Sequence, residues 1–251
     1  MRFRLERDAG TFTFEGTFRA GRGSGDFRFV PDSRYPERVR ALGVPLDAGQ
    51  RNVSRRLYDL ALFDVSLDFI RSMQAVGCDE PLDRYVEFRI FAVDPAYVRD
   101  MESVGFAHLT GSKLVETKIH GATPDDIREM RAQGKDLPLD GYIESRIFQI
   151  TPEFAAEIAK AGYPDLTHER LVEFRIQGVT PAYIADLREL GYTRLPAAKL
   201  VEMRIQGVTP EFIRRVEKAG HHHVPADRLI QMRIFHVAPE RLGALDDDEE
   251  R

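Results

Sequence analysis

The chain repeats itself. A glycine recurs at Gly77, Gly105, Gly134, Gly162, Gly191 and Gly220, at spacings of 28, 29, 28, 29 and 29 residues, and a period of that length means stacked supersecondary units. A second marker keeps the same phase: Pro95, Pro124, Pro152, Pro181, Pro210 and Pro239, five of them preceded by Thr or Asp and the last by Ala238. Each unit reads as two helices, as in AAKLVEMRIQG followed by VTPEFIRRVEKAG. Thr209 supplies a hydroxyl cap, Pro210 suits the first helical position because its missing N–H would be unsatisfied there anyway, and Gly220 stops the helix by going left-handed. Helices of about 10 residues do not persist alone in water, so neighbouring units must bury their apolar stripes. The second helices offer such a stripe as Phe69, Ile70 and Met73, then Tyr97, Val98 and Met101, Phe154 and Ile158, Tyr183, Ile184 and Leu187, and Phe212, Ile213 and Val216.

Ahead of the array, RFRLE, TFTFEGTF and DFRFV alternate apolar and polar residues at Phe3 and Leu5, Phe12, Phe14 and Phe18, and Phe27 and Phe29, the period of half-buried strands. GRGSG reads as the turn between two of them. The expected fold is therefore mainly α: an α-solenoid of about six 28–29-residue helix-turn-helix repeats over residues 57–245. It is preceded by an antiparallel β-meander cap over 1–31 and by a capping helix and connection over 32–56, with an acidic disordered tail at 246–251.

Residues 1 to 56 hold 12 Arg and 7 acids, whereas the rest holds 24 Lys plus Arg against 34 acids, so the front is basic and the body acidic. An acidic body argues against a nucleic-acid partner. No run of 18 apolar residues and no signal-peptide core is present, which points to a chain without a membrane segment, cytoplasmic by default and extracytoplasmic if it is a fragment of an exported protein. Cys78 is the single cysteine and excludes an internal disulfide.

The units LVEFRIQGVTPAYIADLRELGY and LVEMRIQGVTPEFIRRVEKAG resemble an uncharacterised bacterial tandem-repeat family with the pattern LVxxRIxGVTPxFIxxxRxLG, of the kind found stand-alone or appended to membrane metallopeptidases of the antibiotic-sensor type. GTFTFEGTFRAGRGSGDFRFVPD is similar to the segment that precedes such arrays. The resemblance implies a bacterial helical-repeat module and no activity; the zinc-binding HExxH of the appended enzymes is absent, so no catalytic residue carries over.

Three columns remain once the helix stripes are assigned. On a wheel of about 100 degrees per residue, Leu200, Val201, Met203 and Ile205 form the apolar face of a first helix and Arg204 falls near its middle. Arg89, Lys118, Arg146, Arg175, Arg204 and Arg233 repeat that placement, while Ala61 departs from it in the first unit. Their expected role is a structural cation ladder, with Asp100, Glu129, Glu157 and Asp186 as candidate partners; the alternative is a grip on phosphates or an acidic peptide. Glu87, Glu116, Glu144, Glu173 and Glu202, with Gln231 in the last unit, lie opposite and form an expected negative stripe. Beside them Phe91, His120, Phe148, Gln177, Gln206 and Phe235 vary from unit to unit, as a recognition position does.

His221, His222 and His223 stand adjacent in a loop and point apart, so no metal and no cofactor is expected. GRGSG lacks the GK[ST] of a phosphate loop, and no GxSxG or Cys–His pairing marks a nucleophile. The expected function is non-enzymatic binding of a protein or peptide, basic or extended, on the exposed face of the first helices. The alternative is a regulatory or sensory module for a small ligand or cell-wall fragment, which needs a deep pocket between units or beneath the sheet.

Overall fold

A computed structural model of the chain describes residues 1–20, 22–46 and 53–241; the acidic tail expected at 246–251 lies outside them. Two compact units divide the chain, Met1–Leu139 and Asp140–Arg251.

The first unit opens with a sheet of order β1-β2-β3, formed by β1 (Arg2–Arg7), β2 (Gly10–Arg19) and β3 (Arg22–Pro31), all antiparallel. The register sets Phe3 against Phe14 against Phe27, and Leu5 against Phe12 against Phe29, so both rows share one face. GRGSG is mostly not a turn. Arg22 to Gly25 continue β3, and Gly25 faces Gly16 across the ladder. A Cβ on Gly16 would lie 2.3 Å from the Ser24 carbonyl oxygen, which explains two facing glycines where a hairpin loop was expected.

Helices follow: α1 (Tyr35–Arg40), α2 (Val53–Leu62), α3 (Leu67–Gln74), α4 (Leu82–Ile90), α5 (Pro95–Ser103), α6 (Gly111–His120) and α7 (Pro124–Ala132). Tyr58 of α2 covers the sheet, its ring 5.5 Å from Phe12 and 5.4 Å from Phe29. Asp8, in the β1–β2 turn, accepts the backbone N–H of Leu67 at 2.8 Å and so occupies the positive end of α3. Tyr35 donates its hydroxyl to the Val65 carbonyl at 2.6 Å. Helix α4 packs on α6, one first helix on the next.

The second unit holds α8 (Leu139–Ile147), which starts at the division, then α9 (Pro152–Lys160), α10 (His168–Gln177), α11 (Pro181–Glu189), α12 (Ala197–Ile205), α13 (Pro210–Lys218), α14 (Ala226–Ile234) and a 3-10 turn at Pro239–Arg241. Here α10 packs on α12 and α12 on α14, while α11 packs on α13. The core runs through Phe154 and Ile158, Phe174, Tyr183 and Leu187, Met203, Phe212 and Val216, and Leu229 and Met232.

The punctuation marks act as their chemistry dictates. Ser66, Asp94, Thr123, Thr151, Thr180 and Thr209 each accept, through the side chain, the backbone N–H three residues on. At the other end Gly220 adopts φ +96° and the N–H of His221 returns to the Val216 carbonyl at 3.2 Å, a closure that satisfies an otherwise orphaned carbonyl. The first helices end the same way, and there the left-handed residue is Gly121, Gly178 or Gly207 in three units but Asp64, Ala92, Gln149 and His236 elsewhere.

Candidate functional site

The basic column of the first helices reaches backwards. The Nε of Arg204 donates to the Gln177 carbonyl at 3.1 Å and the guanidinium lies 4.9 Å over the Tyr183 ring. Arg233 repeats this on the Gln206 carbonyl (3.3 Å) and Phe212 (5.2 Å). Arg175 uses Nη2 on the Gln149 carbonyl at 3.0 Å and stacks 3.7 Å over Phe154. In the first unit Arg89 binds the Phe63 carbonyl and the Asp64 carboxylate, both at 3.0 Å, and stacks on Phe69 at 4.9 Å. Lys118 sits 4.0 Å over Tyr97, and Arg146 is exposed.

Arg89, Arg175, Arg204 and Arg233 thus each meet a carbonyl at the C-terminal end of the preceding first helix, and these four and Lys118 meet the ring of the third residue of the preceding second helix. Both are negative features: the dipole end of one helix and the face of a ring. No ion pair joins these cations to Asp100, Glu129, Glu157 or Asp186 among the contacts described; the carboxylate that does pair, Asp64, also holds Arg7 at 3.1 Å.

The glutamate column does not form a bare negative stripe. Arg84 pairs with Glu87, Lys113 with Glu116 at 2.7 Å, Arg170 with Glu173, and Lys199 with Glu202 at 2.5 Å, each three residues apart on one helix. Where Gly141 replaces that cation, Glu144 lies 3.5 Å from His168 Nε2. Some of these cations also reach the following first helix: Arg56 to Asp83, Arg84 Nη2 to Ser112 Oγ at 2.6 Å, and Lys199 to Asp227 at 2.5 Å. Asp227, and after it Glu202, holds the Lys199 ammonium above the usual lysine pKa. Four of the five glutamates thus have a cation three residues before them on their own helix.

The varying column divides. Phe91, His120 and Phe235 are exposed, Phe235 at 73%, while Phe148 packs against the core of its unit and Gln177 and Gln206 are half-buried.

A fourth column went unread in the sequence. Ile205, assigned by the wheel to the core face, is exposed, and so are its equivalents: Leu62, Ile90 and Ile119 in the first unit, and Ile147, Ile176 and Ile234 in the second. All lie between 44% and 56% exposed, whereas the neighbouring Leu200, Val201 and Met203 are buried. An aliphatic face of more than about 180 degrees is wider than one helix can bury between two neighbours, and the residue at its edge, last in the helix, is the one left outside. Water contact at one large aliphatic side chain is ordinary; the same position exposed in three first helices of the first unit and in four of the second gives each unit a surface with a pattern.

Several hollows flank the sheet. A polar one of about 320 Å³ is lined by Glu6, Arg7, Asp8, Asp32, Arg38, Asp64 and Ser66. Within it Arg38 donates to the Asp8 carbonyl at 2.8 Å and to Asp32 at 2.9 Å, and Arg7 pairs with Asp64 at 3.1 Å. An apolar one of about 130 Å³ lies among Leu5, Phe12, Phe14, Phe27, Tyr58 and Leu62; small-molecule sites span about 300–1,000 Å³, so this groove takes one side chain rather than encloses a ligand. Among the described residues no group of three or more His, Cys, Asp or Glu could hold a metal, His221 to His223 included, and no helix is long and apolar enough to cross a membrane. Burial pushes the Cys78 thiol up to about 11, away from nucleophilic use.

No family model, curated protein or solved structure matches this chain.

Proposed function

We propose that the chain is a non-enzymatic α-solenoid that holds an extended polypeptide along its first helices. The observation that carries this reading is the aliphatic column, with Ile147, Ile176, Ile205 and Ile234 following one another in the second unit, each about half exposed, and with the ion-paired Glu173 and Glu202 beside Ile176 and Ile205. A periodic surface suits a periodic ligand. First helices that stack about 8–10 Å apart match an extended chain in polyproline II conformation, which rises about 9 Å every three residues. The partner is therefore a segment with an apolar side chain at every third position, its backbone bonding to the half-buried Gln177 and Gln206 between. The neutralised glutamates frame this track and do not attract a basic partner on their own.

The test is selection from a random peptide library on the intact protein, followed by affinity measurements on three variants. Peptides with apolar residues at every third position, which lose binding to I176E and to I205E but keep it with E173K, are the expected outcome. Ligands that ignore both isoleucines and fail on E173K place recognition on the glutamate column. Failure to enrich any peptide removes the reading.

A further inference from the structure

The open edge of the sheet is built to pair with itself. The Met1 ammonium donates to the Gly16 carbonyl at 2.7 Å and the Gly16 N–H to the Met1 carbonyl at 3.1 Å, so even-numbered residues of β2 turn their backbone groups toward β1 and odd-numbered ones toward β3. The Asp32 N–H on the Ala9 carbonyl at 3.0 Å keeps that phase. In β3, therefore, even residues face β2, and Gly23, Gly25, Phe27 and Phe29 aim their N–H and C=O groups out of the sheet. Among the described residues no hydrogen bond reaches those groups. The strand is exposed from Arg22 to Arg28, and Phe27 and Val30 are 55% and 54% exposed.

An unpaired edge of this length invites another strand. We propose that β3 pairs antiparallel with β3 of a second copy of this chain, about a twofold axis at Phe27, to make one continuous six-stranded sheet. In that register Asp26 stands directly opposite Arg28 of the second copy and Arg28 opposite its Asp26, two charge pairs on the polar face. Gly25 faces Phe29 of the second copy, leaving room for the ring. The row Phe3–Phe14–Phe27, whose rings lie 4.6 Å apart stacked and 6.1 Å apart tilted, continues into the same row of the other sheet.

Neighbouring registers fail on charge. An axis at Asp26 or at Arg28 puts that residue against itself, and an axis at Gly25 sets Arg22 against Arg28. The other edge is guarded: in β1 the outward residues are Arg2, Arg4 and Glu6, and pairing centred on Arg4 opposes two guanidiniums.

Sedimentation of the full-length protein tests this, with D26R and R28D as variants at two exposed side chains that hold no described contact. The wild-type chain is expected to dimerise. Each variant alone should associate at least about tenfold more weakly, since cross-strand charges turn from attractive to repulsive at both symmetric positions. An equimolar mixture of the two should dimerise again, because every facing pair in the mixed sheet is then Arg with Asp. Hydrogen exchange on the wild type should show the amides of Gly25, Phe27 and Phe29 protected in step with dimer population. A monomer at every accessible concentration, dimers indifferent to both charges, or a mixture that stays monomeric would each overturn the proposal.

Discussion

Gly178 is where backbone and side-chain requirements meet, and replacing it by alanine measures both. The residue sits at φ +69°, and an added Cβ would come to 2.7 Å from Nη2 of Arg204. A non-glycine residue in that conformation costs about 1–2 kcal/mol, offset by about 0.4–1 kcal/mol because alanine restricts the unfolded chain. The guanidinium must also move. It then gives up its bond to the Gln177 carbonyl at 3.1 Å and its place 4.9 Å over Tyr183, contacts of about 1.5–3 kcal/mol and about 0.5–1 kcal/mol when fully formed. With part of both retained, G178A should destabilise by about 2–4 kcal/mol.

Urea unfolding followed by circular dichroism measures this, with R204A and the double variant completing a cycle. The alanine should cost clearly less where the arginine has already been removed. Equal costs in both backgrounds would refute the steric link and leave only the backbone term. The native chain already carries a Cβ in this conformation at Ala92, φ +53° with Lys118 in the next unit, and at Gln149, φ +53° with Arg175 in the next. A92G should therefore be neutral or stabilise by up to about 1 kcal/mol.

Two further outcomes are expected. Burial pushes the Tyr183 phenol up to about 12, and it donates to the Val208 carbonyl at 2.9 Å. The unfolded chain releases that proton near 10 while the folded one keeps it, so the contribution is whole below about pH 10 and is lost between there and 12; Y183F should flatten the alkaline limb of a stability–pH curve, and an unchanged limb would contradict the assignment. Cys78, buried and pushed up to about 11, should resist iodoacetamide at pH 8 in the folded protein and react on unfolding; rapid labelling of the native chain would show that α4 and α5 open locally.

Much of the fold was legible because it is written in residues whose backbone chemistry is narrow. Thr180 and Pro181, Thr209 and Pro210, and the glycines from Gly77 to Gly220 fix helix starts and stops by hydrogen bonding and by permitted φ alone. The left-handed stops at Ala92, Gln149 and His236 were not legible, since nothing in those side chains asks for that conformation. They are seen only by alignment with Gly121, Gly178 and Gly207 in the chain's own repeats.

The surface was harder for a related reason. A helical wheel gives an angle and not a neighbour, so it put Ile205 with Met203 although the stacked helices cover only one of them. The neutralised glutamates could have been found from spacing, because Arg84, Lys113, Arg170 and Lys199 each stand three residues before their partner. Strand alternation placed the phenylalanine face correctly and missed that β3 already holds Arg22 to Gly25, where the expected turn residues are instead a close approach of two strands.

The backward reach of the arginines gives the array a direction in time as well as in space. The carbonyls of Gln149, Gln177 and Gln206 are satisfied by side chains encoded 26 or 27 residues later, so a helix end made early in synthesis waits, solvated, for the repeat that closes it. Chains emerge from the ribosome amino terminus first, so Arg175, Arg204 and Arg233 each leave it after the helix end whose carbonyl they close.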